Sequence, residues 1–150
     1  MRASLTGPRD LPASMPTGPL LTYRYLYLSR LAEGLDFATF QPIAVRARAR
    51  NPAIGISGVL LFDGERFCQL LEGGAVEVRA LAQLIQADRR HVELTVLHEA
   101  MEPAARLRED WKSGYCESED LDRFEGPNGL RGPTALSAFA QIAARADLLQ

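Results

Sequence analysis

The chain has 150 residues, 47% hydrophobic and 24% charged, with a formal net charge of −2. That is the length of one domain able to bury roughly 70% of its unfolded surface; the charge offers no platform for nucleic acid or an anionic membrane, no apolar run reaches the ~20 residues of a membrane helix, and no signal-peptide core opens the chain. Cys68 and Cys116 form no CxxC and no metal-ligand spacing with His91 or His98, which suits a reduced, cytoplasmic protein without a metal site.

Residues 1–19 carry Pro8, Pro12, Pro16 and Pro19 among few apolar side chains and read as a flexible extension. Leu20 to Ser29 reads as a first strand, with Tyr23, Tyr25 and Tyr27 on one face and Leu26 and Leu28 on the other. Tyr23 and Tyr25 suit an aromatic packing face with hydroxyls at its rim. From Gly34 to Asn51 a turn leads into a helix, in which Phe37, Phe40, Ile43, Ala44 and Ala47 recur at helical spacing. Pro42 fits only the first turn, so the helix should start near 39–41 and end at Asn51-Pro52. Arg46, Arg48 and Arg50 read mainly as its solvated face.

Asp63-Gly64 between apolar runs predicts a hairpin, with strands near 55–62 and 66–72 and positive φ at both central turn residues. Gly73-Gly74 breaks the second strand. Val76 to Ala87 follows as a helix with Val78, Leu81, Leu84 and Ile85 inward, closed by the polar cluster 88–91. Val92 to Ala100 reads as a fourth strand in which His98 is structural. A polar segment, 103–110, leads to Trp111 and a short strand, 112–116. Ser118 is a candidate N-cap for a helical turn or two. Residues 133–149 read as an amphipathic helix with Leu136, Phe139, Ile142, Ala143 and Ala146 on one stripe.

The order β-α-β-β-α-β predicts an α+β, ferredoxin-like fold with a short fifth strand and a C-terminal helical cap. The expected division is an extension over 1–19, a core over 20–116 and a cap over 117–150. The hairpin strands are almost continuously apolar, so both sheet faces should be covered. The first two helices suit one face and the last helix the other.

Gln69 is the anomaly, an amide between Cys68 and Leu70 that must find partners for two donors and two acceptor lone pairs. Phe67, Gln69 and Leu71 share a face, and on neighbouring strands Tyr27 meets Gln69 beneath the two helices. Asn51 leaves the first helix at the edge of that space. Asp88, Arg90 and His91 reach its far rim, and Ile43 and Ile85 face each other as apolar walls. Such a slot fits a planar heteroaromatic ligand.

These residues resemble the BLUF domains, blue-light sensors that use flavin. The resemblance spans Leu20 to about Tyr115. It rests on Tyr27-Leu28-Ser29, on Asn51 to Gly58 (NPAIGISG), on Phe67 to Gly73 (FCQLLEG), on Asp88 to His91 (DRRH), and on Arg106 ahead of Trp111. It implies a light receptor without enzymatic activity. Tyr27 takes the place of the photoactive tyrosine and Gln69 that of the glutamine between it and the flavin. Asn51 stands where the family bonds the ring's polar edge, and Ile43 and Ile85 where it sandwiches the ring. Asp88, Arg90 and His91 match the polar set near the ring edge and ribityl chain, and Arg50 sits at a position that touches the cofactor. FAD is the implied flavin, with FMN and riboflavin left open. The implied partner is a separate downstream protein reached through the sheet face and the C-terminal helix, with self-association left open.

Several positions depart from the family, Ser57 in place of threonine being a minor one. Trp111-Lys112-Ser113-Gly114 stands where W-S-M-G is usual, so Ser113 replaces the methionine implicated, with Trp111, in the signal path, and could bond Gln69 instead. Arg108 replaces an aromatic. The alternatives are a light-insensitive interaction module of the same descent, against which Tyr27, Asn51 and Gln69 together argue, and an acylphosphatase-like enzyme, for which Ser29 to Gly34 supplies no glycine-rich anion loop.

Overall fold

The computed structural model describes residues 21–149, so the expected N-terminal extension lies outside the described residues. The chain runs β1 (Thr22–Leu31), a 3-10 turn (Phe37–Thr39), α1 (Phe40–Ala53), β2 (Ser57–Phe62), β3 (Arg66–Gly73), α2 (Ala75–Ala87), β4 (His91–Glu102), β5 (Trp111–Tyr115), α3 (Ser118–Asp122), α4 (Gly132–Arg145) and β6 (Asp147–Leu149). The strands form one sheet in the order β4-β1-β3-β2-β5-β6. Its first four strands are antiparallel neighbours in the ferredoxin-like arrangement. Strand β5 joins β2 in parallel, and β6 pairs antiparallel with β5.

Because side chains alternate along each strand, every register row belongs to one face. One row runs Val96–Tyr27–Gln69–Leu60–Ser113–Leu149. That face packs Tyr25, Tyr27, Leu60, Phe62, Phe67 and Leu71 beneath Phe40, Ala44 and Ala47 of α1 and Val78, Leu81 and Ala82 of α2. The opposite face packs Leu26, Leu28, Val59, Leu61, Cys68 and Leu70 against Leu121 of α3 and Ala138, Phe139 and Ile142 of α4. The last helix therefore covers the second face of the sheet.

Several local expectations are corrected. Helix α1 continues through Pro52 to Ala53. Proline there forfeits only a last-turn hydrogen bond, and the Asn51 carbonyl still accepts from the backbone N–H of Ile54 at 3.1 Å and of Ile56 at 2.9 Å. In the hairpin, Asp63 precedes the turn, and of the turn residues Gly64 alone takes positive φ, +103°. The Asp63 carboxylate accepts from the N–H groups of Glu65 (2.9 Å) and Arg66 (2.7 Å) and so caps the turn. Leu84 is exposed rather than inward, because α2 turns Val78, Leu81 and Ala82 to the sheet. Glu117, not Ser118, caps α3, in a reciprocal box with Asp120. Helix α4 stops at Arg145, and the residues after it form β6.

Candidate functional site

The site lies at the middle of the helix-covered face. Tyr27 and Gln69 are register partners on β1 and β3. The Gln69 amide donates from Nε2 to the Tyr27 hydroxyl at 2.7 Å. On its other side Oε1 accepts from the indole Nε1–H of Trp111 at 3.2 Å. All three side chains are buried. An indole nitrogen can only donate, so Trp111 requires the carbonyl oxygen, and this fixes which end of the amide faces Tyr27. Burial pushes the Tyr27 phenol well above its ordinary value, with the Gln69 bond opposing in part. The phenol therefore holds its proton through the physiological range.

Beside this chain a cleft of about 80 Å³ opens between α1 and α2. Tyr27, Phe67 and Gln69 of the sheet line it together with Ile43, Ala47 and Arg50 of α1, Leu84 and Ile85 of α2, and Asp88, Arg90 and His91 beyond α2. Asp88 is the one carboxylate of the lining, and it is engaged. It accepts from Arg90 Nη2 at 2.6 Å and Nε at 3.0 Å, and this guanidinium holds its carboxyl below the usual range. Arg46 and Arg50 add positive charge on α1. Burial, reinforced by the neighbouring Arg46 charge, lowers the Arg50 pKa. The cleft is thus net cationic at one rim and apolar across its walls.

His91 closes the far end. Its Nε2 donates to the Ile85 carbonyl, a partner that can only accept, so Nδ1 of the neutral ring accepts from the Ser29 hydroxyl at 2.7 Å. Tyr25 and Tyr23 do reach the rim with their hydroxyls. Tyr25 accepts from Gln86 Nε2 at 2.9 Å, and Tyr23 donates to Glu99 with Arg79 over its ring. His98, buried in β4, pairs with Glu102 at 3.1 Å.

Asn51 is fully buried and stands behind the wall rather than in it, with Oδ1 accepting from Arg50 Nε at 3.0 Å. Its Nδ2 has no partner, and no other buried side-chain nitrogen or oxygen among the described residues shares that condition. An orphaned buried amide donor costs about 1–3 kcal/mol, and Asn51 adjoins the cleft only through Arg50, which lines it and donates to the Asn51 Oδ1. A planar ring with polar edges fits this donor set.

Ser113 does not bond Gln69. It lies in the same row, but Leu60 stands between them, and the amide's two bonds go to Tyr27 and Trp111. The sequence reading gave Trp111 no partner, although its exclusive donor character could have suggested one. It also read Leu84 as core; Arg46, read as solvated, is exposed and lines the cleft as well. Arg46 is three residues beyond Ile43 and four before Arg50, a spacing that places all three on one helix face.

The fold and site together are thus a ferredoxin-like sheet with a phenol–amide–indole chain beside a cationic-rimmed cleft. Residues 22–114 match the family described as sensors of blue light using FAD, and the chain belongs to this BLUF family. It is similar to the blue light- and temperature-regulated antirepressor BluF of Escherichia coli (strain K12), with 31% identity over 82 residues. That match takes in 55% of this chain and spans only 20% of the relative. Among solved structures, BlsA in its photo-activated state superposes with a TM-score of 0.71 at 25% identity, covering 86% of this chain and 99% of BlsA. The dark-state structure of BlrB, a BLUF protein, gives a TM-score of 0.66 at 28% identity, covering 82% of this chain and 95% of BlrB. No helix among the described residues is long and apolar enough to cross a membrane, and no cluster there could hold a metal ion.

Proposed function

We propose that this protein reads blue light through a flavin held in the α1–α2 cleft, and that the Gln69 amide converts absorption into a change of hydrogen bonding. The observation that carries this reading is the buried chain Tyr27 OH–Gln69–Trp111, whose first two members line the cleft and whose amide is satisfied at both ends. Ile43 and Ile85 form the apolar walls for the ring, Asn51 Nδ2 is the donor left for its polar edge, and Arg50, Asp88, Arg90 and His91 serve the remaining polar atoms. The arginine-rich rim favours a phosphate-bearing flavin, FAD first, over riboflavin.

When bound, flavin supplies the blue-light absorption and, once excited, a strongly electron-accepting ring. The protein's part is proton and hydrogen-bond logic. Tyr27 holds a proton at its phenol oxygen, beside an amide that already donates to that oxygen. If the amide rotates, or its proton shifts from Nε2 to Oε1, the Tyr27 hydroxyl gains a new acceptor or donor geometry. On rotation the carbonyl oxygen facing Trp111 is replaced by the amide NH2. Indole N–H would then confront another donor, which is unfavourable in a dry site. Trp111 must therefore move or lose its bond, and β5 carries that strain toward Ser113 and β6. Output to a separate protein through this side of the sheet and α4 is the corresponding partner reading. Ser29 and His91 do pair a hydroxyl with an imidazole, but Ser29 is buried and outside the cleft lining, so the site suits a switch rather than turnover.

The test is the visible spectrum of the purified protein in the dark and under blue light. A yellow protein whose flavin bands move slightly to the red and return in the dark is expected. Failure to take up flavin, or bands that stay fixed under illumination, would sink the reading.

A further inference from the structure

The segment between β4 and β5 must cross the whole sheet, because β4 is one edge and β5 lies beyond β2. It crosses as a strap over the strand ends, tied in spatial order. The Thr22 hydroxyl donates to the Ala104 carbonyl at 2.9 Å, and Arg24 Nη2 to that of Ala105 at 2.6 Å. Arg106 Nη1 donates to the Gly55 carbonyl at 3.0 Å and the Ser57 hydroxyl at 3.1 Å, and Gly58 N–H to the Asp110 carbonyl at 3.0 Å.

At the centre of the strap is Glu72. It is the most deeply buried carboxylate of the described residues, with no exposed surface. Its Oε2 accepts from Arg24 Nε at 2.7 Å and its Oε1 from the Leu107 N–H at 2.6 Å. Glu72 pairs in register with Arg24 on one side and Ser57 on the other, so it points to the α4 side of the sheet. Trp111 follows the strap, pairs with Gly58, and turns its indole through to the other side, where it meets Gln69. The strap has no helix or strand of its own to fix its length. What sets where β5 begins is this set of ties, and only Glu72 joins two of them through a buried charge.

We infer that Glu72, paired with Arg24, is a positioning residue for the light-sensing chain: by pinning the strap at Leu107 it holds Trp111's indole within reach of Gln69 and thereby sets the dark orientation of the amide. This rests on the proposed role of Gln69, but its structural half stands apart from it. A buried ion pair that loses one partner leaves the other uncompensated, and in Glu72→Gln the Leu107 N–H keeps an acceptor while Arg24 keeps the Ala105 carbonyl and, as its one remaining carboxylate, Glu102, 3.3 Å from its Nη1. The strap then loosens at its centre without a cavity being made.

The chain has a single tryptophan, so one indole N–H resonance reports on Trp111 with or without flavin. In labelled protein in the dark, that resonance should be sharp and slow to exchange with solvent. In Glu72→Gln and in Arg24→Met it should shift or split, with exchange at least roughly tenfold faster, as expected when a buried bond of about 1.4 kcal/mol is lost. Arg106→Ala, which removes a strap tie not made by Glu72, should change exchange severalfold less. An unchanged indole resonance in both Glu72→Gln and Arg24→Met, or an equal change in Arg106→Ala, overturns the assignment. If Glu72→Gln does not fold, Arg24→Met decides alone. The photocycle reads separately: a shifted indole with a normal light-induced red shift would leave Glu72 as the strap's anchor and remove the claim that it sets the amide. Absence of any red shift in the parent protein would instead fault the light-sensing reading and leave the indole result standing.

Discussion

The two faces of one sheet are built from alternate residues of the same strands, yet they do different work. In β3, Cys68 and Leu70 join an aliphatic and aromatic packing with Phe124, Phe139 and Ile142 on the α4 side. Between them, Phe67, Gln69 and Leu71 face α1 and α2, where the packing is rich in tyrosine and interrupted by a cleft. The closed face contributes stability through burial; the open face gives up some burial to keep a ligand slot and an unpaired amide at Asn51. Period-two alternation is what allows both, because a side chain can be changed on one face with its neighbours left in place on the other.

That contrast breaks if damage to the closed face alters the flavin site, or damage to the open face unfolds the protein. Phe139→Ala removes a ring with no exposed surface; it should cost about 3–5 kcal/mol in urea unfolding while the protein that remains folded keeps its flavin spectrum. Arg66→Met comes next. Arg66 reaches Asp63, Asp122, Glu125 and the Ser118 carbonyl, and so ties the hairpin turn to α3. Its loss leaves the buried Asp63 charge without its cation and should cost about 2–3 kcal/mol by the same measurement, less than a fully buried pair because Asp122 is exposed. On the open face, Leu84→Ala should leave stability within about 0.5 kcal/mol and weaken flavin binding about tenfold by titration, because Leu84 is 63% exposed and lines the cleft. The smallest expected effect is on the thiols. Burial raises Cys68 and pushes Cys116 up to about 12, so mass spectrometry after iodoacetamide at about pH 8 should find both unmodified in the folded protein. Rapid alkylation of Cys68 would mean that the closed face opens.

The first two thirds of the fold were legible because glycine, proline and alternation mark their boundaries there. The last part was harder. Ala146, Leu148 and Leu149 continue the apolar stripe of α4, so periodicity cannot tell a further helical turn from the strand that pairs with Ser113 and Gly114. Gly114 permits that pairing, since a Cβ there would lie 2.3 Å from the Asp147 carbonyl oxygen. Within the site, Tyr27 and Gln69 could be placed together by register alone. The Trp111 bond and the Glu72 peg could not, because both depend on how a strap without regular structure crosses the sheet. Leu84 misled for a related reason: a cleft-facing leucine and a core leucine have the same helical spacing.

The central claim is that Gln69 links Tyr27 to Trp111 and that light changes this link. The most direct measurement is the light-minus-dark absorption difference of flavin-loaded Gln69→Leu beside the parent protein. Leucine keeps the volume and removes every hydrogen bond, so the variant should bind flavin and fold as the parent does, yet show no reversible red shift. A Gln69→Leu protein with the parent's red shift and dark recovery would contradict the account.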